Sequence, residues 1–392
     1  MQEVSIEKKS DLVTVNLSGR IDSNNAPLVE AEVLKDLEGN QLPIIIDASK
    51  LEYISSAGLR VLLHIRKQNE ELKIVNVSSE VYEILDMTGF NQMMDVEKAY
   101  KVVSIEGCEV IGQGANGTIY KFDKDNVVKV YNNADALSEI QHEREVARLA
   151  LVLGIPTAIS YDVVRVGESY GSVFELLNAR SFSKIMSNEP DKFDWCVAEF
   201  TGMLKKIHET EVPEGKLPKI KETVLNWTEF VKDYIPAEYY EKLKKMVEEV
   251  PEDNHMIHGD YHTKNLELQG DEVLLIDMDT LAVGHPIFEF ASMYNSFIGY
   301  GEYDSRHVSE FLGFSMETSE RFYRSVLATY LGTNDENKLR EVEDKASIVG
   351  HTRMIRRSIR RKGLETEEGR AEIELWKKTL LSLLDRIDTL LF

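Results

Sequence analysis

The 392-residue chain is long enough for two or three domains, each with a buried core. Its 68 acidic residues outnumber 46 basic ones, and a surface with a net charge of −22 argues against nucleic acid or membrane partners. The two cysteines, Cys108 and Cys196, are too few for a disulfide framework, and neither a signal peptide nor an apolar run of transmembrane length is found. We therefore expect a cytoplasmic protein.

Residues 3–100 alternate between strand and helix patterns, which predicts a small α/β sheet with helices packed on it. The predicted strands are Val13–Leu17, Pro43–Asp47 and Leu72–Val77, and the predicted helices are Ala26–Leu37, Ser56–Leu72 and Glu80–Met87.

The run IDASKLEYISSAGLRVLL, Ile46–Leu63, resembles the signature of STAS domains, the module of sulfate transporters and anti-sigma factor antagonists. The resemblance implies that Ser56 is a phosphorylation switch and that the domain binds a protein partner. Ser55 stands where many family members carry Asp. The alternative is that Ser55 and Ser56 only cap the helix that begins there.

A short linker near 99–105 separates this domain from a second region, which we divide into segments 101–180 and 181–392. The second region opens with Gly112, Gly114 and Gly117 in G-x-G-x-x-G spacing. A Rossmann loop would lead into a helix, but the glycines are followed by two strand patterns. The motif therefore favours a kinase-type phosphate-binding hairpin.

Lys129 lies within the apolar strand VVKVY and requires an anion nearby, such as a phosphate or a carboxylate. The following helix, predicted from Asp135 to Leu153, offers Glu145 as the preferred ion-pair partner and Glu143 as the alternative. A strand ending near Glu175 places that residue and Leu177 where a kinase hinge would contact the nucleotide base.

The strongest motif is IHGDYHTKN, Ile257–Asn265, followed by VLLIDMD, Val273–Asp279. A His-Gly-Asp turn with an Asn five residues later can present a carboxylate and an amide to one point, and an acidic residue that ends a buried apolar strand can bind Mg²⁺. His262 is expected either near the acceptor or exposed.

Together with the glycine loop, these motifs resemble the aminoglycoside phosphotransferase and choline kinase-like superfamily. The resemblance implies a bilobal protein-kinase-like fold with a mostly helical C-lobe, and ATP or GTP with Mg²⁺ as cofactors. It further implies that Asp260 is the catalytic base, that Lys129 holds the nucleotide phosphates, and that Asn265 and Asp277 bind Mg²⁺. Asp279 is a further candidate metal ligand. Gly259, in place of the arginine of protein kinases, favours a small-molecule acceptor of unknown identity.

The segment after Asp191 has mostly helical patterns, and residues 353–362 form a basic run within it. A solvated helix face is the default interpretation of that run, and an anionic acceptor, an acidic partner or docking on the STAS domain are the alternatives. Three functions stay open at this point: a small-molecule kinase regulated by its STAS domain, a signalling kinase that acts on Ser56 or on another STAS protein, and a non-catalytic nucleotide sensor.

Overall fold

The computed structural model of the protein describes residues 3–69, 71–114, 116–134 and 136–392. The N-terminal part forms a five-stranded sheet in the order β1-β2-β3-β4-β5. Its first pair is antiparallel and the others are parallel. The strands are β1 (Val4–Lys8), β2 (Val13–Ile21), β3 (Ile44–Ile54), β4 (Lys73–Val77) and β5 (Asp95–Lys98), and the helices are α1 (Ala26–Asp36), α2 (Ser56–Gln68) and α3 (Ser79–Met87).

The first sheet confirms the predicted α/β class. Its strands β2, β3 and β4 lie where the three strands were predicted. Burial alternates along β2, where Val13 and Val15 are fully buried and Thr14 and Asn16 are not, because successive side chains point to opposite faces. The sequence did not reveal β1 and β5. Both lie at the edges of the sheet, and β5 carries polar side chains that hide the apolar alternation.

A six-stranded sheet follows, in the order β6-β10-β11-β9-β8-β7. Its elements are β6 (Lys101–Val102), β7 (Glu109–Gln113), β8 (Gly117–Lys121), β9 (Asn126–Tyr131), α4 (Leu137–Val152), β10 (Asp162–Val166) and β11 (Ser169–Glu175). The glycine motif forms the antiparallel β7–β8 hairpin, as the kinase interpretation predicts. The predicted linker contains β6, which pairs with β10. The predicted first residue of α4, Asp135, lies outside the described residues.

The remaining chain is mostly helical and encloses a large apolar core. Its strands are β12 (Arg180–Ser181), β13 (Met256–Ile257), β14 (Leu266–Gln269), β15 (Glu272–Leu275) and β16 (Ala282–Val283). Its helices are α5 (Phe182–Asn188), α6 (Phe193–His208), α7 (Ile220–Val231), α8 (Ala237–Glu248), α9 (Ile287–Phe297), α10 (Arg306–Leu312), α11 (Met316–Leu331), α12 (Glu336–Arg360) and α13 (Glu367–Leu384). The short strands hold the HGD segment between this core and the six-stranded sheet.

Candidate active site

The HGD segment follows directly after the buried strand β13. Gly259 has a φ of +81°, and a Cβ at this position would lie 2.6 Å from the Thr280 carbonyl oxygen. Only glycine fits such a backbone, because other residues would meet both the left-handed strain and the clash. The glycine that distinguishes this motif from that of protein kinases therefore has a local structural cause.

A buried carboxylate fixes the same turn. Glu289 on α9 is fully buried and accepts hydrogen bonds from the backbone N–H groups of His258 and Gly259, at 2.5 and 3.0 Å. The Ser292 hydroxyl donates to the Gly259 carbonyl at 2.8 Å. These bonds satisfy buried backbone groups and hold the peptide that precedes Asp260.

Asp260 lies between two basic side chains. Its Oδ2 is 3.5 Å from His262 Nε2, and its Oδ1 is 3.8 Å from Arg353 Nη2. Burial raises the pKa of Asp260, but the hydrogen bond and charge of His262 and the charge of Arg353 outweigh it, so the pKa lies below its usual value. His262 is only 5% exposed, so the alternative that it is exposed was wrong.

Arg353, on α12, is the residue that the sequence analysis missed at this point. Its Nη1 donates to the Gly259 carbonyl at 3.1 Å and to the Ser292 hydroxyl at 2.9 Å. Its guanidinium lies 5.3 Å from the centre of the Trp227 ring. The signal was present as an arginine beside the apolar pair Met354 and Ile355, which marks the edge of a buried helix face.

Asn265, Asp277 and Asp279 lie close to the HGD turn. Asn265 Nδ2 donates to the backbone carbonyl of Asp260 at 3.0 Å, and the backbone carbonyl of Asn265 accepts from Ile276 N–H at 3.0 Å. Asp277 has a φ of +63° and lies two residues beyond the end of β15, so it is not the last residue of a strand as expected. A positive φ at a residue other than glycine is an uncommon backbone conformation, and such residues cluster at functional sites.

The donor set suits a hard cation. Burial and the charge of Asp277 raise the pKa of Asp279 to about 7, which indicates two acidic groups with too little positive charge near them. In the described part of the chain no group of three or more His, Cys, Asp or Glu has the geometry of a metal cage. Mg²⁺ needs no such cage, since it binds through one or two carboxylates, water and substrate phosphates.

Lys129 on β9 reaches the same point from the six-stranded sheet. Its Nζ lies 2.9 and 3.0 Å from the two carboxylate oxygens of Glu143 and 3.8 Å from Asp277 Oδ1. Burial lowers the pKa of Lys129, but the charges of Glu143 and Asp277 raise it by more. The net pKa is therefore above its usual value, and the lysine remains a cation. The Tyr131 hydroxyl donates a third hydrogen bond to the Glu143 carboxylate at 2.6 Å.

The preferred partner, Glu145, was therefore wrong, and the alternative, Glu143, forms the ion pair. Two residues along a helix correspond to about 200° of rotation, so Glu145 lies on the exposed side of α4. The spacing carried the signal, because Glu143 follows the buried Ile140 by three residues and precedes the buried Val146 by three.

The glycine hairpin and the hinge segment complete the cavity opposite the HGD turn. Gly117 requires its small size, since a Cβ there would lie 2.3 Å from the Val130 carbonyl oxygen. Asn116, in the loop, donates to Asp279 Oδ2 at 3.2 Å. Apolar side chains also line the cavity, as a site for a nucleotide base requires; they include Ile111, Ile119, Val127, Leu177 and Ile276.

One cavity of about 1510 Å³ contains most of the predicted site residues. Those that line it are Gly112, Gly114, Gly117, Lys129, Glu175, Leu177, Asp260, Asn265, Asp277 and Asp279. Glu145 and Ser56 do not line it. The volume exceeds the range of about 300–1,000 Å³ typical of a single small-molecule site, so two ligands have room side by side.

Ser56 lies in the first domain, at the first turn of α2, and is exposed. The capping role belongs to Ser55, whose Oγ accepts from the N–H groups of Ala57 and Gly58 at 3.2 and 3.5 Å. Gly58 is tightly enclosed, because a Cβ there would lie 2.6 Å from Ile54 Cγ1. Ser56 thus has no capping contact, and its hydroxyl is accessible.

Comparison with protein families gives two matches. Residues 3–103 match the STAS domain, and residues 107–341 match the phosphotransferase enzyme family. No helix in the described ranges has the length and apolar character needed to cross a bilayer.

Individual proteins resemble each part separately. BtrV of Bordetella bronchiseptica, named as an anti-sigma factor antagonist, is 31% identical over 98 residues, which are 24% of this chain and 84% of that protein. The anti-sigma-B factor antagonist of Bacillus subtilis is 28% identical over 97 residues, 24% of this chain and 88% of that protein. The ADP-bound crystal structure of aminoglycoside phosphotransferase APH(2'')-Ib covers 78% of this chain and 99% of its own, with a TM-score of 0.50 and 15% identity, and supports the fold.

Proposed function

Because the chain belongs to the phosphotransferase enzyme family and carries a STAS domain in front of it, we propose that it transfers the terminal phosphate of ATP or GTP to a hydroxyl or amine of a small molecule. The STAS domain would regulate this reaction through a protein partner. The observation that carries the proposal is the meeting of the Lys129–Glu143 pair, Asp277 and Asp260 in one cavity.

The contacts support the following roles. Lys129 would hold the nucleotide phosphates, and Glu143 keeps its ammonium group in place from the other side. Asp260 would accept a hydrogen bond from the acceptor hydroxyl and align it with the phosphate, which is the main requirement of phosphoryl transfer. Glu289 and Arg353 hold the Asp260 turn through its backbone.

Asp277 and Asn265 would bind Mg²⁺, with Asp279 as a further candidate ligand. When bound, the ion neutralises charge on the phosphate oxygens during transfer. Asp277 also lies 3.8 Å from Lys129, so metal and lysine would act on neighbouring parts of the same phosphate chain.

The test is to follow the phosphate. The full chain is incubated with Mg²⁺, γ-labelled ATP and a metabolite extract, and small molecules are then separated from protein. We expect label on a small molecule, and its loss in Asp260→Asn and after removal of divalent ions by EDTA. Asp271→Asn, at an exposed turn outside the cavity, is the matched control. If the wild-type chain transferred no more label than the Asp260→Asn variant, the proposal would be refuted. Nucleotide binding without turnover would favour a non-catalytic sensor.

The second candidate, a signalling kinase acting on Ser56, is favoured by the exposure of that serine at a helix start. A phosphate there would be stabilised by the helix dipole. The expected result is label on the protein that disappears in Ser56→Ala. Ser79→Ala is the matched control, since Ser79 occupies the same position after the capping Ser78 in α3. Label that survives Ser56→Ala would exclude this candidate.

A further inference from the structure

Part of the basic run at the end of α12 faces a cavity and does not form a solvated helix face. Arg353, Arg356, Arg357 and Arg361 line the cavity that contains Asp260. Their spacing of three, four and eight residues places them on one side of the helix. The run also lies beyond residue 341, the last residue matched by the family model. Arg353, Arg356 and Arg357 are only partly exposed, so the default interpretation of a solvated helix face was wrong for these three, whereas Arg361 follows the end of α12 and is exposed.

These arginines differ in whether their guanidinium groups already have an anionic partner in the protein. Arg353 is engaged with the Asp260 turn. Within the described residues, Arg356, Arg357 and Arg361 have no carboxylate oxygen within 4 Å. Arg356 instead lies 5.8 Å from the centre of the Phe230 ring, and Arg357 lies 5.2 Å from that of Tyr300 and donates to the Tyr300 hydroxyl. Aromatic rings orient guanidinium groups without neutralising them.

Unneutralised arginines are unexpected in a chain with 68 acidic residues. Burial and the charges of Arg360 and Arg353 lower the pKa of Arg356, so the cluster is electrostatically unfavourable while it has no anion. Five glutamates line the same cavity, and none lies within 4 Å of Arg356, Arg357 or Arg361 in the described residues; two of them, Glu368 and Glu372, lie 3.8 and 3.7 Å from the ring nitrogens of His307. The arginine side of the cavity is thus left for an external anion.

The position of this cluster relates it to the acceptor. Arg356 and Arg357 follow Arg353 by about one helical turn, roughly 5 Å along the axis, and Arg353 lies beside Asp260. A molecule with its hydroxyl at Asp260 and a charged group at these arginines has about the size of a sugar phosphate or a hydroxy acid. The cavity of about 1510 Å³ leaves room for it next to the nucleotide.

We propose that the phosphate acceptor is a hydroxylated small molecule with an anionic phosphate or carboxylate group, which Arg356, Arg357 and Arg361 bind. This proposal rests on the phosphotransferase function proposed above. It implies that cationic molecules are rejected, because they would meet three guanidinium groups whose charge no described carboxylate neutralises.

The first test measures the anion site without requiring turnover. Inorganic phosphate, and separately acetate, are titrated calorimetrically into the full chain with ADP and Mg²⁺ already bound. We expect binding of one of the two anions, and the one that binds identifies the group. The affinity should fall by about tenfold or more in the Arg356→Gln/Arg357→Gln double variant. Arg360→Gln removes a charge from the same helix outside the cavity and should leave the affinity within about twofold.

The second test identifies the acceptor class. A metabolite extract is divided by anion exchange, and each fraction is supplied with Mg²⁺ and γ-labelled ATP. Label is expected in the retained, anionic fraction, with an acceptor KM raised about tenfold or more in the double variant and an ATP KM that is unchanged. Label in the unretained fraction, or anion binding that is equal in wild type and double variant, would overturn the proposal. Absence of transfer from every fraction, with anion binding intact, would instead count against the phosphotransferase function.

Discussion

The two walls of the cavity are packed very differently. The six-stranded sheet has a small buried cluster of five valines under it, and the glycine hairpin leaves Val110 and Ile111 about half exposed. The opposite wall belongs to a large helical core in which Tyr261 is fully buried next to Asp260 and Glu289 braces the turn. Local stability follows buried contacts, so we expect the HGD turn to be rigid and the glycine hairpin to be able to adjust to a ligand.

Asp260→Asn should produce the largest effect and tests the rigid wall. The amide keeps the size of the side chain, but it is a poor hydrogen-bond acceptor and a poor base for the hydroxyl of the substrate. We therefore expect kcat to fall by about 10²–10⁴-fold. The free energy of unfolding should also fall, by about 1–2 kcal/mol, because the neutral amide no longer pairs with His262 and Arg353. Single-turnover kinetics and urea denaturation measure the two quantities, and a kcat within a factor of three of wild type would contradict the assigned role.

Gly259→Ala tests how rigid that wall is. The new Cβ would meet the Thr280 carbonyl in a left-handed backbone, so we expect a loss of about 2–5 kcal/mol in the free energy of unfolding. Gly270→Ala is the matched control, since Gly270 has a φ of +62° but open space around its Cβ position, and should cost about 1–2 kcal/mol. Equal losses in urea denaturation would show that the turn can yield.

Glu143→Gln tests the contact between the two walls. It removes the anion that holds Lys129, and loss of charge-assisted hydrogen bonds should lower kcat/KM for the nucleotide by roughly 10–100-fold. Glu145→Gln, on the exposed side of the same helix, should leave steady-state kinetics unchanged. If Glu145→Gln lowered kcat/KM and Glu143→Gln did not, Glu145 would be the partner of Lys129, as the sequence favoured.

Gly117→Ala should give the smallest effect and tests the adjustable wall. The Cβ would displace the Val130 backbone carbonyl, but a thinly packed sheet can shift, so the nucleotide KM should rise by roughly fivefold at a cost of about 1–3 kcal/mol in stability. Gly112→Ala, whose Cβ would lie 3.4 Å from the Ile119 side chain, should have less effect on KM. A stability loss as large as that of Gly259→Ala would remove the difference between the walls.

The sequence predicted best what depends on short spacings. Asp260 and Asn265 belong to one motif and are only five residues apart, so a single loop is enough to bring them together. Glu143 and Glu145 could not be separated by residue type, since the choice depends on the rotational phase of α4. Arg353 is 93 residues from Asp260, and only the packing of α12 on α9 brings it there. The edge strands β1 and β5 were missed because exposed edges carry a weak apolar pattern.

The strand β6 determines where the chain can be divided. It pairs in parallel with β10, and Val103 N–H continues the pairing by donating to the Arg165 carbonyl at 2.9 Å. Only Ala99 and Tyr100 separate it from β5 of the first sheet. A phosphotransferase domain expressed from residue 104 onward would therefore leave β10 as an open edge, which favours aggregation, whereas one that begins before Lys101 would keep that edge covered.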